Sequence, residues 1–469
     1  MALKNKKENF SEWYTEVVQK AELADYSSVS GCLIYRPYSY SIWEMIVAET
    51  DKRFKKIGIK NAYFPLFIPE KLLMKEAKHF AGFTPEVAWV THAGNSKLDE
   101  RLAIRPTSET IMYESYAKWI RSWRDLPLRI NQWNNVVRWE FKHPTPFLRG
   151  REFLWNEGHT VFATEKEALA EKEQILGIYK EIVEDYLAIP ALIARKTESE
   201  KFAGAVFTFA IEFFMPDGKF IQGPDFHFDG QNFAKAFGIE FLDSKGKKQF
   251  GWQNTWAITT RAIGALAAIH GDSKGLVLPP EIAPIQIVVI PIYDDSTKKK
   301  VLVRAEKLKK SLETNFRVYL DDRDIYTPGW KFNEWEIKGV PLRVEIGPKD
   351  IKVGKAMLVR RDTGQRSAAK FSALGKAAEK ILAEIQKLLF RKAQAFVNEH
   401  RHDAKNYAAL KDALKNGFAK TSWCGSAGCE EKARSDLGAK IYILDEKAKG
   451  KCVVCGKAAK HIVYVAKPY

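Results

Sequence analysis

Four cysteines near the carboxyl end of the sequence constrain the fold of this chain more than any other feature. They form two close pairs, Cys424 with Cys429 and Cys452 with Cys455. Two such pairs can fold as two knuckles that place four thiolates tetrahedrally around one zinc ion. The alternative is four reduced thiols that bind no metal. The spacing predicts a zinc-bound module in which the metal is structural, because four thiolates leave no open position for substrate.

Length and composition indicate a folded protein of several domains with a polyanionic partner. The 469 residues correspond to three domains at about 150 residues each. Hydrophobic residues make up 46% of the chain and charged residues 28%, which argues against disorder and collagen-like repeats. The 75 Lys and Arg residues exceed the 58 Asp and Glu residues, for a formal net charge of +17. Such a surplus usually faces a polyanion, so nucleic acid is a candidate partner.

The sequence contains no obvious membrane or secretion signal. Its longest apolar run, residues 282–293, is interrupted by Pro284, Gln286 and Pro291, whereas a bilayer crossing needs roughly 20 apolar residues. The opening residues, MALKNKKENF, lack the apolar stretch of a secretory signal. We therefore expect a cytoplasmic protein without membrane association, whose cysteines are thiols or metal ligands.

Local patterns predict several elements and one domain boundary. Ser41 and Glu44 form a capping-box pattern that predicts a helix from Ser41 to Gly58. Between residues 129 and 160, aromatic-rich stretches flank the loop KHPTPFLRG, which predicts two antiparallel strands joined by a basic turn. The proline-rich segment LVLPPEIAP predicts a boundary near Pro284. After that boundary, strand-like and helical runs alternate as in a small α/β domain.

Arginines, rather than a glycine-rich loop, would have to hold any bound nucleotide. The sequence contains neither GxxxxGK[ST] nor GxGxxG. Four arginines lie among aromatic or apolar residues: Arg138, Arg149, Arg151 and Arg261. A guanidinium is costly there unless it meets an anion, although each alone also fits a structural ion pair. Glu140 follows Arg138 by two positions on an expected strand, so both side chains should project to one face. One could hold a phosphate and the other a base edge.

Four stretches of the sequence carry a resemblance to a known family. They are RPTSET (105–110), VVRWEFKHPTPFLRGREFLWNEGHTVF (136–162), WAITTRAIGALAAIHGDSKGLVLPP (256–280) and DDRDIYTPGWKFNEWEIKGVPLRVEIGPKD (321–350). Together they resemble the prolyl-tRNA synthetases of the archaeal and eukaryotic type, which are class II aminoacyl-tRNA synthetases. The resemblance implies an α+β multidomain fold. It comprises a class II catalytic domain (1–283) with an antiparallel sheet and flanking helices, an α/β anticodon-binding domain (284–395) and a zinc-binding domain (396–469).

The resemblance also implies an activity and its partners. The enzyme would be a ligase that activates L-proline with ATP and Mg²⁺ to prolyl-adenylate and transfers the prolyl group to tRNA(Pro). The segment from Ser41 to Pro65 resembles the first class II motif, which forms a dimer interface in the family, so a homodimer is expected.

Site residues follow from the same resemblance. The catalytic arginines would be Arg138 and Arg261. The proline pocket would consist of Thr107, Glu109, Arg138, Phe153, Trp155, Phe202 and His227. The ATP site would consist of Arg138, Glu140, Arg149, Gln222, Thr259 and Arg261, and Phe83 and Glu86 match further positions that line the family's active site. The anticodon would be read by Glu336, Arg343 and Lys349, and zinc would be held by Cys424, Cys429, Cys452 and Cys455.

The sequence departs from eukaryotic members of the family at GPDFHFD (223–229), where Asp225 takes the place of a threonine. Two alternatives to the main interpretation stay open. One is a synthetase for another small amino acid, against which the Thr107–Glu109 loop and the aromatic walls argue. The other is a non-catalytic class II paralogue, or a zinc-ribbon protein, that binds nucleic acid. A binding module would have no need of an arginine clamp for ATP.

Overall fold

A computed structural model describes residues 3–79, 86–140 and 143–469 of the chain. In the first region the strands are β1 (Ala24–Tyr26), β2 (Leu33–Tyr35), β3 (Lys60–Asn61), β4 (Phe67–Pro69), β5 (Trp89–Ala93), β6 (Ser96–Ile104), β7 (Leu128–Val137), β8 (Glu152–Phe162), β9 (Leu192–Lys196), β10 (Phe207–Phe214), β11 (Lys219–Gly230), β12 (Glu240–Leu242), β13 (Lys248–Phe250) and β14 (Trp252–Thr259). The helices are α1 (Phe10–Lys20), α2 (Pro37–Lys56), α3 (Glu70–His79), α4 (Glu109–Trp119), α5 (Glu165–Glu181), α6 (Asn232–Phe237) and α7 (Arg261–His270).

Two further regions follow in the chain. The second contains β15 (Ile287–Pro291), β16 (Val318–Leu320), β17 (Leu342–Ile346), β18 (Lys355–Arg360) and β19 (Arg366–Lys370), with α8 (Lys298–Leu312), α9 (Pro328–Ile337), α10 (Pro348–Val353) and α11 (Leu374–His400). The third contains β20 (Arg401–Asp403), β21 (Phe418–Trp423), β22 (Lys440–Ile443) and β23 (His461–Pro468), with α12 (Tyr407–Asn416) and α13 (Ala427–Leu437).

A long, mostly antiparallel sheet joins the first and third regions. Its strand order is β20-β21-β23-β22-β9-β10-β11-β14-β8-β7-β3, and β23 also pairs with β11. The hairpin around the predicted basic loop is confirmed, since β7 and β8 pair antiparallel from Leu128 opposite Val161 to Val137 opposite Glu152. The second region has its own sheet, in the order β16-β15-β17-β18-β19, and its parallel β15, β16 and β17 are connected through helices as the alternating pattern predicted.

The two faces of the long sheet differ in what they contact. Successive residues of a strand point to opposite faces, and in β14 the buried Trp256 and Ile258 belong to the main hydrophobic core. That core includes residues of α1, α2, α5 and α7. Thr255 and Thr259, the alternate residues of β14, line a cavity together with residues of β8 and β11. The main core therefore lies against one face of the sheet, whereas the other face carries the cavity and a smaller core formed with α4 and α6.

The helix predicted from Ser41 begins four residues earlier. α2 starts at Pro37 with Arg36 as the capping residue, and no side chain caps it. The capping box at Ser41 was therefore a wrong prediction, because a proline in the first turn already has the backbone angle of a helix and needs no amide partner. The end of the helix is as predicted, with Gly58 at φ +82° just beyond it. Among the helices of the described residues, none combines the length and apolar character that crossing a membrane requires.

Candidate active site and cysteine cluster

A cavity of about 250 Å³ opens on the sheet face opposite the main core. It is lined by residues from the loop before α4, from β8, β10, β11 and β14, and from the start of α7. The residues expected from the sequence that line it are Thr107, Glu109, Arg138, Phe153, Trp155, Phe202, Gln222, His227, Thr259 and Arg261. Asp225 lines it as well, and so do Glu157, His159 and Thr208, which the sequence had not singled out. Positions scattered over more than a hundred residues of sequence thus converge on one site.

One buried end of the cavity carries a carboxylate and a hydroxyl. Glu109 is 4% exposed, and the Thr107 hydroxyl donates a hydrogen bond to its Oε2. Burial raises the pKa of Glu109, and the nearby charge of Glu157 adds to this, although His159 acts in the opposite direction. A buried carboxylate of this kind is suited to a cationic ligand that brings its own N–H donors.

Flat side chains form the walls next to this end. Phe153 and Trp155 meet edge to face with 5.9 Å between ring centroids, and the Trp155 indole donates to Asn134 Oδ1 at 2.6 Å. On the other side Phe202 stacks on His227 at 4.7 Å. His227 Nδ1 lies 2.8 Å from the Thr208 hydroxyl, and burial lowers the pKa of His227, so the ring is neutral near pH 7. Such walls suit a small apolar ring.

Two guanidinium groups line the cavity without a carboxylate ion pair among the described residues. Arg138 uses Nε to donate to the Pro106 carbonyl at 2.9 Å, and its guanidinium carbon lies 5.6 and 5.3 Å from the rings of Phe153 and Trp155. Arg261 donates to the carbonyls of Leu148 and Gln222. Burial and the positive charge of Arg138 lower the pKa of Arg261 to about 10. Both cations are fixed in place, so the arrangement is prepared for an anion.

Asp225 and Gln222 lie close to these cations. The Gln222 amide donates to Asp225 Oδ2 at 2.7 Å, and Asp225 Oδ1 lies 3.6 Å from His227 Nε2. The substituted aspartate of the 223–229 segment therefore points into the cavity rather than outward.

Glu140 and Arg149 lie outside the cavity lining. Strand β7 ends at Val137, and Glu140 is an exposed residue in the turn that follows. The prediction that Arg138 and Glu140 share one face of a strand was therefore wrong, because the chain has already left the sheet at Arg138. Arg149 is exposed at the rim, and Glu86 lies just before β5, whereas Phe83 lies outside the described residues.

The end of the sequence reaches the rim of the cavity. β23 runs parallel to β11, with Lys467 opposite Lys219 and Pro468 opposite Phe220. The Tyr469 amide donates to the Phe220 carbonyl at 2.8 Å, and Arg149 Nη2 donates to the Tyr469 carbonyl at 3.2 Å. Arg149 and Tyr469 are 320 residues apart in sequence, so no local sequence pattern could have predicted this contact.

The four cysteines of the third region come together as their spacing predicted. Their sulfurs all lie within 4.8 Å of one another, with 3.6 Å between Cys424 and Cys429 and 3.7 Å between Cys455 and Cys424. A tetrahedral site with metal–sulfur bonds of about 2.3 Å has sulfur–sulfur edges of about 3.8 Å. The cluster can therefore hold a metal ion, and its edge lengths match those of a four-thiolate zinc site.

The three residues expected at the anticodon lie in the second region. Arg343 is 8% exposed on β17 and is ion-paired, with 2.9 Å to Glu345 and 3.6 Å to Glu336. Lys349 is exposed in the first turn of α10. Glu336 and Arg343 are thus neighbours, and the guanidinium is already engaged by two carboxylates.

Comparison with known families and proteins identifies what the chain is similar to. Residues 83–270 match the class II core domain of tRNA synthetases (G, H, P, S and T), residues 286–381 match an anticodon-binding domain, and residues 407–469 match the C-terminal domain of prolyl-tRNA synthetase. The proline--tRNA ligase of Alkaliphilus oremlandii is 50% identical over 466 residues, which are 98% of this chain and 96% of the relative. That of Cenarchaeum symbiosum is 48% identical over 469 residues, with 99% and 98% covered. Proline--tRNA ligase 2 of Bacillus cereus is 47% identical over 473 residues, with 100% and 98% covered.

Proposed function

Because this chain belongs to the prolyl-tRNA synthetase family of class II aminoacyl-tRNA synthetases, we propose that its cavity joins L-proline to ATP as prolyl-adenylate and then transfers the prolyl group to tRNA(Pro). The family, the class II fold and the ligase class predicted from the sequence are confirmed. The observation that carries the proposal is one cavity that combines a buried acceptor pair, Thr107 and Glu109, with two fixed guanidinium groups, Arg138 and Arg261.

The acceptor pair is assigned to the secondary ammonium of proline. This group offers two N–H donors and a positive charge, so the Glu109 carboxylate and the Thr107 hydroxyl can each accept one N–H. The ring then rests against the flat walls of Phe153, Trp155, Phe202 and His227, which lie beside the pair. An amino acid with a primary ammonium and no ring would make fewer contacts with the aromatic walls and would match the two acceptors less well.

The guanidinium groups are assigned to the anions of the reaction. Arg138 would bind the α-phosphate and the proline carboxylate that attacks it, and Arg261 would bind the remaining phosphates together with Arg149. Gln222 and Thr259 would contact ATP in the cavity, and Glu140 would accept from the adenine amine at its mouth. Mg²⁺ would arrive with ATP and share its phosphate charge, since that ion is held largely by substrate phosphates and water; we assign it no protein ligand.

The reaction is an in-line substitution at the α-phosphorus, in which the proline carboxylate displaces pyrophosphate. It needs no protein nucleophile, so the protein contributes orientation and charge neutralisation. Arg138 is fixed by the Pro106 carbonyl and two aromatic rings before substrate arrives. Preorganised cations of this kind stabilise charge that develops in the transition state without having to reorganise.

The remaining expectations concern domains and partners. We assign residues 1–283 to catalysis, 284–395 to anticodon binding and 396–469 to a module in which the four cysteines hold a structural zinc ion. The tRNA anticodon would contact Glu336, Arg343 and Lys349. Arg343 can present a pair of N–H donors to a guanine only after one of its two ion pairs, with Glu336 or Glu345, has broken. We further propose a cytoplasmic homodimer.

Amino-acid-dependent exchange of pyrophosphate into ATP, run with each of the twenty amino acids, tests the proposal. We expect strong exchange with proline alone, together with weak exchange with alanine and cysteine, because a pocket built for a ring admits smaller ligands and one methylene discriminates by only about 1–3 kcal/mol. Strong activation of another amino acid would reassign the substrate. Exchange with none of the twenty would favour the non-catalytic paralogue.

A further inference from the structure

Glu157 lies at the floor of the cavity and accepts hydrogen bonds from five polar atoms. The residue is 2% exposed. Its Oε1 accepts from the Ser108 hydroxyl at 2.5 Å, from Asn134 Nδ2 at 2.7 Å and from Gln132 Nε2 at 3.1 Å. Its Oε2 accepts from the Ser108 amide at 3.0 Å and from His159 Nε2 at 3.2 Å. A carboxylate with this many donors is fully satisfied within the protein and has no capacity left for substrate.

These donors belong to the groups that form the proposed proline pocket. Ser108 lies between Thr107 and Glu109, so the two contacts from its amide and hydroxyl fix the backbone that carries the acceptor pair. Asn134 donates to Glu157 with its amide nitrogen and accepts from the Trp155 indole with its oxygen. One buried carboxylate thereby holds both the amine-binding loop and one aromatic wall.

The same carboxylate also acts on Glu109 through its charge. Acceptor or ligand atoms of Glu109, Glu157 and His159 all lie within 4.8 Å of one another. Although burial opposes it, the hydrogen bonds from His159, Ser108 and Asn134 lower the pKa of Glu157, while the pKa of Glu109 is raised. Of the two carboxyl groups, Glu109 is therefore the one that takes up a proton more readily. The other titratable groups that act on this cluster are His159 and, more distantly, Asp229, Tyr116, Arg138 and His227.

A metal ion in this cluster is a weaker interpretation. Three ligand atoms within 4.8 Å could surround a cation, but both Glu157 oxygens already accept from N–H and O–H donors. Those donors would have to turn away before a cation could bind, and they would then be left unsatisfied in a buried site.

We propose that Glu157 is a positioning residue for proline selection. It fixes the Thr107–Glu109 loop and Trp155 through hydrogen bonds, and its negative charge lies beside the carboxylate that would bind the substrate ammonium. The inference rests on the proposed function and deepens it, because it assigns part of the amine specificity to a residue that does not touch the substrate.

The test compares Glu157→Gln with Glu171→Gln in steady-state pyrophosphate exchange. Glu171 is a matched control, since it is 1% exposed, bonds to Thr160 and Asn254 next to the same sheet, and does not line the cavity. The glutamine at 157 presents an NH₂ group to donors that need an acceptor, so KM for proline should rise about 10- to 100-fold. KM for ATP should stay within about twofold for both variants, and KM for proline should stay within about twofold for Glu171→Gln.

A pH profile separates positioning from general destabilisation. Loss of the Glu157 charge should move the acidic limb of kcat/KM for proline to lower pH, because Glu109 then ionises more readily. A limb that stays in place while stability falls would overturn the inference, as would an unchanged KM for proline. If Glu157→Gln does not fold, Ser108→Ala decides: a several-fold rise in KM for proline alone supports the inference, and no rise overturns it. The parent enzyme is measured alongside, and its failure to exchange with proline would instead refute the proposed function.

Discussion

Arg138→Ala should abolish adenylate formation while leaving the fold intact. The side chain is half-buried and lines the cavity, and among the described residues its hydrogen bond is the one that Nε donates to the Pro106 carbonyl, which leaves the two terminal nitrogens for a ligand. Removal of one preorganised donor that faces developing charge costs roughly 10²- to 10³-fold in rate, or about 2.7–4 kcal/mol. The aromatic contacts with Phe153 and Trp155 hold the group equally in the ground state and the transition state, so they do not contribute to this loss of rate.

The assay is proline-dependent pyrophosphate exchange at saturating proline and ATP, so that the loss appears in kcat. Arg138→Lys should recover only a small part, because an ammonium keeps the charge but lacks the fork that reaches two oxygens. Arg151→Ala is the control, since Arg151 also stacks on a tryptophan, Trp139, and bonds to a backbone carbonyl, but lies outside the cavity lining. Exchange by Arg138→Ala within about threefold of the parent enzyme would refute the assignment of Arg138 to the reacting anions.

Three further predictions concern ionisation, metal and packing. Glu109 binds the ammonium only when it is ionised, and its pKa lies above the ordinary 4.5. The value of kcat/KM for proline should therefore fall as the pH drops through that raised pKa, whereas kcat/KM for ATP at saturating proline should change less. Replacing Cys452 and Cys455 together by serine should release about one zinc ion per chain, measured by elemental analysis, with only a modest fall in exchange. Gly158→Ala should lower the urea midpoint, because its Cβ would lie 2.2 Å from the buried Trp256 ring, and overpacking of this kind typically costs about 1–3 kcal/mol.

Each of these has a contrary result. A flat pH profile down to the ordinary range of a glutamate would place ammonium binding elsewhere. Parent protein that contains no zinc would remove the metal site, and complete loss of exchange in a folded double cysteine variant would give the third region a direct role in the active site. An unchanged urea midpoint for Gly158→Ala would mean that Trp256 can move aside.

The parts of the structure that sequence could predict are those with a local cause. The cysteine spacing brings four sulfurs together because two short knuckles need few other contacts. The β7–β8 hairpin follows from alternation and from a loop rich in proline and charge. The predicted start of α2 was wrong because the sequence contains two possible helix starts close together. The helix begins at Pro37 and not at the Ser41 pattern. The prediction for Glu140 was wrong because the residue pattern suggested that the strand continues beyond Val137, where the chain leaves the sheet.

Other features depend on neighbours that no window of sequence contains. Glu157 looks like one more charged residue in an aromatic strand, and its role follows only from donors on the loop before α4 and on β7. The contact between Arg149 and Tyr469 likewise depends on how two distant segments pack. The residues of the proposed proline pocket came from the family resemblance, whereas physical reasoning from the residues alone supplied only the chemical character of the site: acceptors, flat walls and cations.

The pairing of β23 with β11 bears on how the molecule is made. During synthesis, Tyr469 can reach Arg149 only after the 320 residues that separate them have been made. Positions on β9 and β11 that pair with the third region therefore stay unpaired while later segments emerge. Unpaired strand edges invite wrong partners, and long-range closure is slow. We therefore expect newly made chains to expose these strand edges to other strands until β22 and β23 pair with β9 and β11.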